Sequence, residues 1–380
     1  MSIRIAGVEV FHLNAPLASP FRWATGSTRE REAVLVKIET DAGLTGWGEA
    51  LPTPAARVIS DFLAPVLLGR DSLDREALVA SMHLAAGGSG ERRGVNFAAI
   101  GACEIALWDI AARAAGEPLH KLLGELKRKR VAVYASGLYY EEAHSDPRAE
   151  ASNYLERGFT RIKMKIGGLR STEELARISA VRAAIGSSNS LMVDGNQSYD
   201  ADAAAGLSSA LRDLDVVWFE EPLPADDIAG YRRLSARTKI PLAAGENLHG
   251  REGFEVFLSE DLLKVAQPNV GNTGGLAEAL AVSQAAHANG LRVALHYWGT
   301  PVALAASLHL AACLPEGEDS PLIELDCTPN PLRDILGGPW MELRDGTLAV
   351  PKGPGIGLRV DEQALMRFCK FSRRHALMKN

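Results

Sequence analysis

Paired cysteines are missing from this sequence. Its four cysteines, Cys103, Cys313, Cys327 and Cys369, lie far apart with no CxxC pair. That excludes a disulfide framework or a zinc knuckle and leaves each as a small core hydrophobe. A basic excess is missing too: 41 Lys and Arg against 47 Asp and Glu give a net charge of −6, which argues against a nucleic-acid partner. No apolar run approaches ~18 uninterrupted residues, so no membrane span is expected. The opening Met1 to Ile5 shows no charged segment followed by a long apolar stretch, so no secretory signal is expected and the protein reads as cytoplasmic. Neither a G-x-S-x-G elbow nor a Cys/His pair offers a covalent nucleophile. Gly353 to Gly357 contains a proline and opens no βαβ unit, so it reads as a turn and not a dinucleotide site. Lys127 to Arg130 reads as a solvated linker, and Gly271 to Gly275 precedes a helix whose N-terminus could receive a phosphate.

What remains is ordinary globular material. Hydrophobic residues at 47% and charged residues at 23% sit at globular averages and exclude a disordered or fibrous chain. A length of 380 residues predicts two domains, at roughly 150 residues each with one possibly large. Residues 1–125 read as an α+β domain. Val8 to Leu13 is a short strand, and Ala33–Glu39 returns through Leu44–Ala50 as a hairpin. A loop from Pro16 to Arg31 carries Phe21, Arg22 and Trp23, and helices follow from 54 to 123, broken by Gly87 to Gly94.

From Val131 the rhythm changes. Short apolar runs at 131–135, 161–165, 191–194, 216–220, 242–246, 263–267, 292–296 and 322–324 alternate with helical stretches. Eight such units predict a (β/α)8 TIM-like barrel over residues 126–330, where a doubly wound sheet would stop at five or six strands. The tail, 331–380, has strand-like runs at 341–343 and 348–350 and is expected to return onto the first domain.

The informative residues end the runs. They are Lys163 and Lys165, Asp194, Glu220, Glu246, Asn269, His296 and Glu324, at steps from 165 of 29, 26, 26, 23, 27 and 28 residues. Strand C-termini carry the active site in this fold, and ionisable groups ending apolar strands are costly to bury without a purpose. Singly, Asp194, Glu220 and Glu246 could be strand-end caps or salt-bridge partners. In register with the barrel period they read as three carboxylates around one cation, and all-oxygen ligation favours Mg²⁺. Lys163 and Lys165, at i and i+2, share one side of their strand. Two adjacent ammonium groups are expected to depress each other's pKa and prepare a base. His296 is a second titratable group across the barrel.

The set Lys163-x-Lys165, Val193-Asp194-Gly-Asn196, Trp218-Phe-Glu220-Glu-Pro222, Gly245-Glu246-Asn247, Gln267-Pro-Asn269, Leu295-His296 and Glu324 resembles the enolase superfamily, mandelate racemase subgroup. Gly43 to Glu49 and Ala98 to Asp109 look like its capping domain. The resemblance implies a modified (β/α)7β barrel and Mg²⁺-assisted removal of the proton α to a carboxylate, through an enediolate. By resemblance Asp194, Glu220 and Glu246 hold the metal, with Asn196, Glu221 and Asn247 supporting them. Lys165 is the base on one face, and Lys163 tunes it and touches the carboxylate. His296 is the acid/base on the other face, and Glu324 hydrogen-bonds the enediolate. Arg22, Trp23 and Arg92 lie where the family's capping loops close over the substrate. Tyr297 and Trp298 extend that list in a segment that looks most like sugar-lactone cycloisomerases and acid-sugar dehydratases.

One position departs from the pattern. Asn269 stands where the subgroup usually has an Asp that orients the strand-seven His. A neutral amide orients without neutralising, so His296 is expected to be a weak base able to act as an acid. The Lys of the muconate-lactonising subgroup is also absent there. β-Elimination on an acid sugar or its lactone is therefore expected, with a racemase or epimerase, or an inactive metal-binding relative, as alternatives. The resemblance also implies a small carboxylate or lactone partner and a homo-oligomer, dimer or octamer, with no nucleic acid or membrane.

Overall fold

Alternating apolar residues in the first fifty positions build an antiparallel sheet. In the computed structural model, which describes residues 2–51, 53–87, 94–141, 146–317, 319–338 and 341–377, β1 (Ile5–Trp23) pairs with β2 (Gly26–Thr40), and β2 with β3 (Thr45–Ala50). The expected loop from Pro16 to Arg31 is strand on both sides of a tight turn. Within this stretch the ladder breaks between Pro16 and Phe21, where Pro16 and Pro20 cannot donate to it. This long hairpin carries Trp23 away from the sheet toward the second domain. One sheet face packs Val8, Val10, Val34 and Val36 against helical residues such as Ile59, Leu63, Met82 and Leu107.

The helix Val95–Ala114 lies directly on β3. Glycine permits this approach: a Cβ on Gly48 would stand 1.8 Å from the Ala102 carbonyl oxygen, and one on Gly46 2.1 Å from that of Ala106. The helix is long and apolar enough by composition to cross a membrane. Its residues from Phe97 to Leu107 are all buried inside the protein, which is the behaviour of a core helix.

The second sheet is a closed barrel. Its parallel strands are β4 (Arg130–Gly137), β6 (Arg161–Lys165), β7 (Ser190–Asp194), β8 (Val216–Glu220), β9 (Leu242–Ala244), β10 (Val265–Ala266), β11 (Arg292–Leu295) and β12 (Leu322–Asp326). β12 pairs with β4 to close it. The short strand β5 (Tyr140–Glu141) instead pairs with β1. Tyr134, Met192, Trp218, Ala243, Val265, Ala294 and Leu322, one from each of seven strands, fill the barrel interior. Seven strands lead into helices of eight residues or more, while β12 is followed only by Pro331–Leu336, the modified form that the resemblance implied. Of the tail, β13 (Thr347–Ala349) pairs with β4 and β14 (Cys369–Ala376) with β1. The expected strand at 341–343 does not form.

Buried carboxylates lock the domains together. Glu49, at the end of β3, accepts from the backbone N–H groups of Thr300 (2.7 Å) and Ala303 (2.9 Å) and from the Thr300 hydroxyl (2.7 Å). Glu104 accepts from the N–H groups of Leu276 (2.7 Å) and Ala277 (3.1 Å). Each satisfies the orphan donors that open a barrel helix, Pro301–Cys313 and Leu276–Ala288 respectively, from across the domain boundary. Glu49→Ala leaves three buried donors unmet and is expected to cost about 3 kcal/mol. It should also strip hydrogen-exchange protection from the Thr300 and Ala303 amides. An unchanged urea midpoint with protection intact would contradict this account.

Candidate active site

Side chains at the barrel mouth interleave in sign. Lys163 and Lys165 project from one side of β6 and are both buried. Lys163 pairs with Glu220, with Glu324 at 2.9 Å and with Asp194 at 3.5 Å, and Lys165 pairs with Asp194. His296 Nε2 lies 2.7 Å from Glu246 Oε2 and 3.9 Å from Glu324 Oε2. Each carboxylate is steadied by neighbours. Gln267 Nε2 (2.6 Å) and Trp218 Nε1 (3.2 Å) donate to Glu220 Oε2, and the Tyr134 hydroxyl donates to Glu324 at 3.4 Å. The Asn196 N–H donates to Asp194 Oδ1 at 2.8 Å. Glu221, turned from the cluster, accepts from Gln197 Nε2 (3.1 Å) and Asn247 Nδ2 (2.9 Å). Asn196, Gln197 and Glu221 all have positive φ, at 42°, 64° and 35°. Such backbone is costly for residues with a Cβ and concentrates at functional sites.

The charges shift one another in ways that correct two expectations. Burial alone would lower the lysine pKa values, but the carboxylates outweigh it. Both rise, Lys163 chiefly through Glu220 and Glu324 and Lys165 through Asp194. Lys163 does lower Lys165, as the i, i+2 spacing predicted, but by less than Asp194 raises it. His296 was expected to be a weak base beside a neutral amide. Burial does oppose its charge, yet Glu246 and Glu324 pull it upward. The same pairing holds Glu246 below the usual carboxylate range against the effect of burial. Burial pushes Glu220 up to about 8, with Asp194 and Glu324 adding to the rise and Lys163 opposing it.

Among the described residues no three His, Cys, Asp or Glu side chains form a ready-made metal cluster. Asp194 and Glu220 face lysines and Glu246 faces His296, so the ammonium groups of Lys163 and Lys165 and the imidazole of His296 stand between them. The donor set itself, three carboxylates at the ends of adjacent strands, fits a hard dication.

Asn269 decides how His296 is protonated. Its Oδ1 accepts from the N–H groups of Gly271 and Asn272, both at 3.0 Å, which leaves Nδ2 facing His296 Nδ1 at 2.9 Å. An NH₂ group can only donate, so Nδ1 carries the lone pair and the proton of neutral His296 sits on Nε2. The imidazole thus presents a donor toward Glu246 and the cavity. Asn269→Asp keeps the backbone bonds but offers Nδ1 an acceptor. The expected outcome, read by ¹⁵N NMR of His296, is a switch of the N–H from Nε2 to Nδ1. The same tautomer in both proteins would refute the assignment.

A cavity of about 220 Å³ opens above these groups, lined by Trp23, Leu51, Tyr139, Lys165, Asn196, Glu246, Asn247, Asn272, His296 and Trp298. It brings together Trp23, Trp298, Lys165 and His296, four of the candidates named from the sequence. Lys163, Asp194, Glu220 and Glu324 are buried and do not line it. Two predicted substrate contacts are corrected. Tyr297 is buried in the core with its hydroxyl donating to the Gly299 carbonyl at 2.9 Å, because it faces away from its neighbour Trp298. Arg22 is exposed and stacks on Tyr140, 4.6 Å from the ring centroid. Arg92 lies outside the described residues.

Sequence reasoning missed Leu51, Tyr139, Asn272 and Arg31. Arg31 is buried and binds Asp326 and, at 3.1 Å, the Thr328 hydroxyl. Its guanidinium lies 3.8 Å from the Trp298 ring centroid. Only Tyr139 left a usable signal, since it follows the end of the first barrel strand where other strands carry function. Arg31 was hidden in what read as a loop.

A parallel barrel whose strands end in acid–base groups, under an antiparallel cap that supplies part of the cavity wall, defines a capped-barrel enzyme. Residues 5–124 match the mandelate racemase/muconate lactonizing enzyme N-terminal domain, and residues 146–364 match the enolase C-terminal domain-like family. The chain belongs to the mandelate racemase/muconate lactonizing enzyme family of the enolase superfamily. It is 34% identical over 376 residues to D-galactarolactone cycloisomerase of Agrobacterium fabrum, covering 96% of this chain and 99% of that one. It is 34% identical over 346 residues to arabinonate dehydratase of Saccharolobus solfataricus, covering 89% and 91%. A racemase from Streptomyces coelicolor solved with bound magnesium superposes with a TM-score of 0.87 at 30% identity, covering 97% and 99%.

Proposed function

We propose that this enzyme removes the proton α to the carboxylate of an acid sugar or its lactone and then eliminates a β-substituent, as a dehydratase or cycloisomerase. The observation that carries the choice of reaction is the Asn269–His296 contact. Elimination needs one base and one acid, while 1,1-proton transfer needs a competent base on each face. Lys165 lines one side of the cavity as the candidate base. Across from it His296 offers a proton on Nε2, which suits it to assist a leaving group. The identity to a lactone cycloisomerase and a sugar-acid dehydratase supports the same reading.

Asp194, Glu220 and Glu246 are the residues that would hold one Mg²⁺. When bound, the ion supplies positive charge that stabilises the substrate's enediolate. Lys165 keeps its proton while Asp194 is its partner, so it acts as a base when that carboxylate is engaged elsewhere. Lys163, enclosed by Glu220, Glu324 and Asp194, maintains the spacing of the carboxylates from beneath and does not reach the cavity.

In D₂O, Lys165→Ala is expected to lower α-deuterium exchange of accepted acid sugars by about 10³-fold or more. His296→Asn should leave exchange measurable while slowing product formation. The opposite pattern, with exchange surviving without Lys165 and lost without His296, would make His296 the base. An NMR-detected product epimeric at the α-carbon, with no loss of water or ring opening, would replace elimination by epimerisation. Excess EDTA and Glu220→Gln should each reduce turnover by roughly 10²-fold or more. Full activity in EDTA would overturn the metal assignment.

A further inference from the structure

We propose that the cleft prefers a ring-closed acid sugar bearing one free carboxylate, with its C–H face laid on an aromatic wall. This rests on the acid-sugar reading above and names the ligand more closely. The wall is formed by Trp23, Tyr139 and Trp298, whose ring centroids stand 5.8 Å (Tyr139–Trp298), 6.4 Å (Trp23–Tyr139) and 6.5 Å (Trp23–Trp298) apart. Three side chains from three separate segments meet there, two from the barrel and one from the capping hairpin. Trp298 is fixed in place because Arg31, itself anchored on Asp326 and Thr328, covers part of its ring. The rings are inclined to one another at 48° (Tyr139–Trp298), 64° (Trp23–Trp298) and 85° (Trp23–Tyr139), so they form a tilted wall. The face of each ring carries negative quadrupole density, which matches the weakly positive C–H face of a sugar ring. An open chain has no such face to offer and must immobilise more rotors.

Asn196, Asn247 and Asn272 also line the cavity. The amide oxygens of Asn196 and Asn272 are buried and accept no hydrogen bond from any described residue. Each lacks an O–H donor, which a hydroxyl supplies and a carboxylate does not.

Among the described residues positive charge is confined to one end of the cleft. Among the described lining residues the only ammonium group is that of Lys165, which stands with the His296 imidazole at this end. Beyond Trp23 the cleft continues past Thr25, Gln197, Glu221 and Pro224, with no cation among these described residues to meet a second carboxylate.

Three probes that change one feature at a time test this on the full-length enzyme with Mg²⁺. They are a 1,4-lactone of a hexaric acid (ring, one carboxylate), an open hexonate (no ring, one carboxylate) and an open hexarate (no ring, two carboxylates). Calorimetry measures affinity, and NMR in D₂O measures α-proton exchange separately. The lactone is expected to bind roughly ten-fold tighter than the hexonate, and the hexarate weakest of all. Trp298→Leu should remove the lactone's advantage, and Trp298→Phe should retain most of it. A hexarate that matches the lactone overturns the single-carboxylate preference, and a hexonate that matches it overturns the ring preference. An advantage that survives Trp298→Leu overturns the role of the wall, as does failure of all three probes to bind. If the lactone binds in a Trp298-dependent way and no probe exchanges its α-proton, the cleft preference stands and the proposed reaction falls.

Discussion

Burying charge at the mouth of a barrel is possible only if every charge is answered. Lys163 is the centre of that arrangement, enclosed by Glu220, Glu324 and Asp194 with almost no solvent contact. An isolated ion there would be prohibitively desolvated, and even a pair recovers its cost only with good geometry and further hydrogen bonds. The surrounding structure supplies both. Trp218 and Gln267 hold Glu220, Tyr134 holds Glu324, and the Asn196 backbone holds Asp194. Three left-handed residues near the ends of β7 and β8 accept strained backbone to keep these partners in place.

The capping domain depends on the barrel for the same reason. Glu49 and Glu104 are buried carboxylates whose answering groups are helix N-termini of the other domain. Their attachment sets where the β1–β2 hairpin projects, and so where Trp23 stands relative to Lys165 and His296. Arg31 adds a buried ion pair to the end of β12. The barrel thus carries the acid–base groups, while the cap completes the wall against which a ligand rests. Neither domain forms the cavity alone.

A single atom separates this site from the usual subgroup pattern. Replacing a carboxylate oxygen by NH₂ at position 269 reverses the hydrogen bond to His296 Nδ1 and moves the imidazole proton to the nitrogen facing the cavity. The backbone N–H groups of Gly271 and Asn272 hold the amide so that it cannot flip. The asymmetry between Lys165 and His296 follows from that constraint.

Much of this was legible in the sequence, for a physical reason. Strand ends recur every 23 to 29 residues because each βα unit needs a fixed length of chain, and ionisable residues at that period have no other economical placement. The barrel, the interior side of Lys163 and Lys165, and the convergence of Asp194, Glu220, Glu246, His296 and Glu324 follow from local periodicity. Other features depend on contacts between distant parts of the chain. Arg31 meets Asp326 across 295 positions, so no local pattern could separate it from a loop arginine. Adjacent Tyr297 and Trp298 diverge, one into the core and one to the cavity, because the backbone turns just past β11. The direction of each lysine's pKa shift was set by carboxylates on neighbouring strands, whose distances only the folded barrel defines. Periodicity along the chain sets which groups reach the mouth; contacts across the barrel set how they pair, which proton each holds and what wall faces them, because those depend on ångström-scale distances between separate strands.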